Sequence, residues 1–291
     1  MTMKNYYLVT TDHKEDGLWF LDEMDFATGM NYVVVQASLS EVVVLSYILM
    51  SNHLHFVLFG EEQEVRDFVD GIKSRYGKYY RKKYGVKEFL RRNKVDIRLL
   101  PSSEESREKA IAYVHMNCVA ANICSYPTQY PWGTGNVFFN PAGPFGKRLG
   151  DMSKRSRSRL LHTRIIDLPL DWRVCEKGYV LPESYVDIEA VEKLFRTPRR
   201  MNFFLTVSSK AKRLLEPSES TRPSFRDQLI LDALPDLCQS LFRKSRFKDL
   251  SREDQVEILR QLQFRFCANV HQIARVCGLS YEVAAKMLDS L

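Results

Sequence analysis

Hydrophobic positions change their spacing several times along the first half of the chain, and each change predicts an element. Tyr6-Tyr7-Leu8-Val9-Thr10-Thr11 is dense in β-formers and predicts a first strand. A charged, turn-prone loop from Asp12 to Gly17 follows. Leu21 to Ser38 then mixes apolar and acidic positions and predicts a helix, weakened by Gly29. Val42 to Met50 is β-branched and continuously apolar, the pattern of a central strand. Ser51-Asn52 breaks the run, which resumes as His53-Leu54-His55-Phe56-Val57-Leu58 and predicts a hairpin with two histidines just past its tip. Side chains alternate faces along a strand, so His53 and His55 share one face while Leu54 and Phe56 take the other.

Gln63 to Tyr84 carries the clearest helical period, with Val65, Phe68, Val69, Ile72, Tyr76 and Tyr79 forming an apolar stripe. Its other side presents Lys73, Arg75, Lys78, Arg81, Lys82 and Lys83, with tyrosines interleaved. A solvated helix face reads this way, and so does a surface for a nucleic-acid backbone with bases stacked on rings. Gly85 is placed to end the helix. Val95 to Leu100 alternates as a further strand, stopped by Pro101. Ser102 and Glu105 form a capping-box pattern for a helix from about Ser103 to Ala121. On that helix Tyr113 and Asn117 are neighbours four apart, and His115 points elsewhere.

Charge and composition narrow the function classes. The surplus of 43 Lys+Arg over 36 Asp+Glu gives +7, which suits a polyanionic partner. No apolar run approaches a membrane span, and Met1-Thr2-Met3-Lys4-Asn5 leads into no signal-peptide core; a cytoplasmic protein with no membrane partner is expected. The six cysteines include no CxxC pair, which argues against a zinc ribbon and for reduced thiols. Two imidazoles on one strand face make half a metal site, or two polar residues on a half-solvated strand.

Met50-Ser51-Asn52-His53-Leu54-His55-Phe56-Val57-Leu58, Tyr113-Val114-His115-Met116-Asn117 and Tyr130-Pro131-Trp132, in that order, resemble the tyrosine transposases of the HUH endonuclease superfamily. The likeness is nearest to the REP-associated branch and covers roughly residues 1–140. Ser51 stands where the family usually has proline, and Asn117-Cys118 where it usually has Asn-Pro. The resemblance implies a bacterial, single-strand-specific DNA endonuclease and strand transferase of ferredoxin-like type. Tyr113 would be its nucleophile, and His53, His55 and Asn117 the ligands of a divalent cation, magnesium or manganese. It further implies a 5′-phosphotyrosine intermediate and a substrate of single-stranded or hairpin DNA. The chemistry is coherent by itself: a phenol titrating near 10 is a weak nucleophile at neutral pH, and a cation on neutral ligands keeps its charge for the phosphoryl oxygens. Imidazole ligation on softness grounds would also suit zinc. Asp96, on the strand predicted from Val95 to Leu100, would be a further candidate on the same sheet face, with nothing in the sequence to fix its place.

Beyond residue 140 the signals are sparser. Gly143 to Arg159 is a basic loop or arm, holding six basic residues from Lys147 to Arg159 against Asp151. Val186 to Phe195 predicts a helix with the basic exit Pro198-Arg199-Arg200. Near the end, Asn269 to Ser280 resembles the first helix and turn of a helix-turn-helix, or an ordinary helical hairpin. Asn269 and Gln272 would form its capping box, Ala274 the crossing point and Gly278 the turn, with Ser280 capping the next helix; Gln255, Ile258, Leu259, Leu262 and Phe266 would support it. Duplex DNA is the partner such an element would take. The expectation is therefore an α+β protein. An antiparallel sheet with helices packed on one face spans 1–140, a basic connector 141–225, and a helical domain 226–291. Its DNA contacts would include Lys73, Arg75, Lys78, Arg81 and Lys82; a homodimer is left open. The rival classes are a catalytically silent, site-specific DNA-binding protein of the same fold and an unrelated histidine–metal hydrolase.

Overall fold

A computed structural model describes residues 3–11, 18–87, 89–91, 93–121, 123–164, 168–215, 227–266, 268 and 270–289. The loop expected at Asp12 to Gly17 and the cap expected at Asn269 lie outside the described residues. By its internal contacts the chain divides into two compact units, residues 1–118 with 126–211, and residues 119–125 with 212–291.

The first unit is built on β1 (Asn5–Thr11), α1 (Glu23–Leu39), β2 (Val43–Met50), β3 (His53–Gly60), α2 (Glu62–Tyr84) and β4 (Val95–Leu99). The strands form one sheet in the order β2-β3-β1-β4, antiparallel throughout. This is the βαββαβ connectivity of ferredoxin-like folds. α1 and α2 pack on the face that carries Tyr47, Leu54 and Phe56: Tyr47 reaches Met30 of α1, and Phe56 meets Phe68 of α2 edge-on. α3 (Glu104–Ala120) lies against the opposite face, with Arg107 over the ring of Tyr6 and Tyr113 beside His55. Its cap differs from the expected box. The helix opens one residue later, so the Ser103 hydroxyl accepts from Ser106 N at 3.2 Å, while Glu105 pairs with Lys109.

The nearly continuous burial of α1 from Ala27 to Val35 has a packing reason. Met30 and Val33 are sealed, and Val34 and Val35 are equally buried under Leu149, Leu161, Leu168, Val174 and Val180. These covering residues belong to the stretch read as connector. It forms β5 (Lys147–Arg148), α4 (Lys154–Leu160) and β6 (Arg173–Val174), with β5 and β6 paired. Asn31 clamps it to α1, donating to the carbonyls of Leu160 and Gly178 and accepting from Val180 N. The basic arm is thus anchored by its few apolar residues, within the first unit.

Tyr130-Pro131-Trp132 closes the outer edge of β2. Leu49 N donates to the Trp132 carbonyl at 2.8 Å, and the Tyr130 hydroxyl donates to the Leu49 carbonyl at 2.7 Å. Farther on, α5 (Ile188–Phe195) follows a bridge between Val186 and Val44. α6 (Pro198–Leu215) then supplies Arg200, whose guanidinium forks onto the fully buried Glu108 of α3. The basic exit of α5 therefore anchors α3.

The second unit has its own core, drawn from α7 (Asp227–Phe242), α8 (Arg252–Phe266), α9 (Val270–Cys277) and α10 (Tyr281–Asp289). Ile258, Leu259 and Leu262 are fully buried, as the stripe predicts. Gly278 takes φ 65°, a left-handed turn, and Ser280 caps α10 through Val283 N. The side-chain amide of Gln272 donates to Asp227 at 2.7 Å, which Arg275 also contacts. Among the described residues no helix is long and apolar enough to cross a membrane.

Candidate active site

The histidine pair stands where the period-2 reading puts it. His53 and His55 open β3 on the face away from α1 and α2, their ring centroids 4.7 Å apart and nearly perpendicular. The Nδ1 of His53 lies 2.9 Å from Asn52 Oδ1. An amide oxygen only accepts, so Nδ1 is the donor in this contact, and in the neutral ring that tautomer leaves the lone pair on Nε2. His55 is 3% exposed, with Nδ1 2.9 Å from the Thr10 hydroxyl on the neighbouring strand. Fixing one ring nitrogen by a polar neighbour is how proteins orient imidazole for metal ligation through the other. The donor set therefore fits a divalent cation at His53 and His55. Among the described residues, no cluster of three or more His, Cys, Asp or Glu forms a fuller metal site.

α3 brings Tyr113 to this face. Its ring meets that of His55 edge-on, with centroids 5.5 Å apart. Asn117 sits one turn on, 4% exposed, and its amide nitrogen donates to the carbonyls of Tyr113 at 2.8 Å and Val114 at 3.3 Å. That bond ties Asn117 to the turn carrying Tyr113. His115 faces away, as helical geometry requires. Its Nε2 lies 3.0 Å from Thr134 Oγ1 and its ring stacks on Phe138. Burial pushes its pKa down to about 4, so it is neutral at physiological pH.

Asp96 is on the histidine face, since Thr10 pairs with both His55 and Asp96 in register. It is two strands from His55, solvent-exposed and ion-paired with Arg98. Thr10 and Asn52 were missed in the sequence as orienting residues. Asn52 had a signal, adjacency to the first histidine; Thr10 had none, because its pairing with His55 spans 45 residues.

The expected DNA contacts are not at this face. Lys73 is only 9% exposed, and its ammonium is used by Asp70 and the Asn93 carbonyl. Arg75 and Lys78 line a cavity on the helix layer behind the sheet, and Arg81 and Lys82 are exposed on the same helix. The interleaved tyrosines are structural: Tyr76 and Tyr80 donate to the carbonyls of Trp19 and Leu18, and Tyr79 and Tyr84 donate to Asp25.

Fold and site together define an α+β protein with ferredoxin-like connectivity, bearing a histidine pair and a tyrosine on one sheet face. No protein-family model matches the chain, and no curated protein matches it. Among solved structures it is similar to one described as a REP-associated tyrosine transposase bound to a REP hairpin. That likeness has 11% identity and a TM-score of 0.36, and covers 62% of this chain and 95% of the other.

Proposed function

We propose that the protein is a tyrosine transposase-like DNA endonuclease that cuts and rejoins single-stranded or hairpin DNA through Tyr113. The observation that carries this reading is the edge-on contact of Tyr113 with His55, with His53 alongside. It joins three of the four residues that the sequence resemblance singled out, from segments some 60 positions apart. In the reaction the Tyr113 oxygen attacks a backbone phosphorus. The Tyr113 O–P bond forms, the P–O3′ bond breaks, the phenolic proton is lost, and the departing 3′ oxygen takes up a proton. The protein then holds the 5′ end as a phosphotyrosine ester, and the reverse attack by a 3′ hydroxyl rejoins a strand without ATP. His53 and His55, with Asn117 as third ligand, would hold magnesium or manganese, whose charge would offset that building on the phosphoryl oxygens. The role of Asn52 and Thr10 is to hold the two imidazoles in orientation. Arg75, Lys78, Arg81 and Lys82 of α2 and the C-terminal helices are DNA contacts in this reading, the latter for duplex DNA.

Tyr113→Phe is the test. The exchange keeps the ring and its packing, so the loss of stability is about 0.5–1.5 kcal/mol, that of one hydrogen bond. After incubation with labelled hairpin DNA and manganese, wild type is expected to give a slow-migrating covalent band on a denaturing gel, and Tyr113→Phe none. His53→Ala and His55→Ala should lose the band while keeping the fold. A band from Tyr113→Phe refutes the assignment. DNA binding by both proteins with no band on any hairpin would favour the silent DNA-binding protein.

A further inference from the structure

The helix layer behind the sheet carries a second concave, cationic feature. α1 and α2 come close where Gly71 passes under Gln36; a Cβ on Gly71 would stand 2.5 Å from the Gln36 amide carbon. Beside this contact is a cavity of about 310 Å³, at the small end of volumes that take a ligand. Its polar groups come from three segments: Tyr32 and Gln36 of α1, Ser74, Arg75 and Lys78 of α2, and His162 just past α4. His162 is held there by the Thr28 hydroxyl at 3.4 Å and by the Tyr79 ring at 5.3 Å.

The charges are unbalanced in one direction. Among the described residues the cavity lining includes no carboxylate, and neither Arg75 nor Lys78 has a carboxylate within ion-pair distance. The contrast lies on the same helix: Lys73 is paired with Asp70, and Lys83 with Asp22 and Asp25. Cations that meet no carboxylate among the described residues and converge on a concave surface set up a positive potential that an anion relieves. The neutral donors around them suit an anion with several acceptor oxygens, and an arginine fork matches phosphate geometry. Arg75, Lys78 and Lys82 also fall on one stripe of α2, stepping about 4.5 and 6 Å along its axis, so the stripe leads a polyanion out of the cavity.

We propose that this pocket binds a backbone phosphate of a DNA strand and so anchors a part of the substrate remote from the bond being cut. The inference rests on the nucleic-acid reading above. It deepens that reading by placing an anchoring site on the layer across the sheet from His53 and His55.

The test uses the full chain and measures binding alone. Arg75→Gln with Lys78→Gln removes the two charges at a helix surface. Gln36→Trp keeps every cation and fills the cavity. Lys4→Gln with Lys193→Gln removes two charges elsewhere. Each protein is checked for an unchanged melting temperature, then titrated with a labelled single-stranded hairpin and, separately, with a deoxynucleoside monophosphate. Both pocket variants are expected to weaken hairpin affinity at least tenfold and the distant pair less than twofold. The charge-removal variant should also flatten the salt dependence, by a slope of about 0.7 per lost phosphate contact. Hairpin affinity unchanged in Gln36→Trp, or loss of monophosphate binding alone, overturns the proposal. Tyr113→Phe tests strand cleavage separately, so a pocket without cleavage and cleavage without a pocket give different results.

Discussion

At the scale of single residues, three side chains with the same imidazole chemistry are sorted by their neighbours. His53 and His55 have Nδ1 engaged by Asn52 and Thr10. His115, on the helix that carries Tyr113, is sealed against Thr134 and Phe138. Burial holds its folded-state pKa at about 4, below the unfolded value of about 6.5. The neutral form is favoured by folding, so the contribution of His115 is fully present above about pH 6.5 and is lost as pH falls toward 4. The shift corresponds to on the order of 3 kcal/mol. Urea titrations from pH 7 to 4 should show stability falling with acid, with a shallower fall in His115→Gln. Equal slopes in the two proteins would mean that His115 takes no part.

At the scale of elements, the site depends on how closely α1 and α3 approach the sheet. α1 reaches β2 through Gly29, where a Cβ would stand 2.6 Å from Phe20 and 2.8 Å from Leu49. The glycine that weakens the helix as a sequence signal is thus the residue that lets it pack. Gly29→Ala should cost about 1–3 kcal/mol through overpacking, less the gain in helix propensity. The check is the denaturation midpoint; a more stable variant would show that Phe20 and Leu49 yield without strain. α3 is fixed differently, by the fork of Arg200 on buried Glu108 and by Arg196 on Glu104 at 2.9 Å. Both arginines flank the start of α6, so a segment with no evident task in the sequence anchors the helix that carries Tyr113.

At the scale of the whole molecule, two units with separate cores predict two unfolding events. The C-terminal core of Ile258, Leu259, Leu262, Ile273 and Ala284 is made within its own unit. Calorimetry should resolve two transitions, or one whose van't Hoff enthalpy falls below the calorimetric value. A single two-state transition would show the units to be energetically one.

Local patterns sufficed for the sheet and helices of the first half and for part of the site, but not for β5, α4 and β6. Period-2 alternation places His53 and His55 on one face because strand geometry leaves no other arrangement. The helical period sets Tyr113 with Asn117 and turns His115 away. Gly85 and Gly278 mark their turns because left-handed backbone favours glycine, at φ 76° and 65°. Tertiary structure decided everything that depends on partners distant in sequence. It oriented His55 by Thr10, put Tyr113 over His55, buried both sides of α1, and spent Lys73 and the α2 tyrosines on internal hydrogen bonds. A charged or aromatic residue on a helix has the same local pattern whether it faces water, a ligand or a carbonyl. Only the packing of segments far apart along the chain distinguishes these cases, and it left Arg75 and Lys78 lining a cavity with no carboxylate among the described residues, while Lys73 and Lys83 of the same helix were paired.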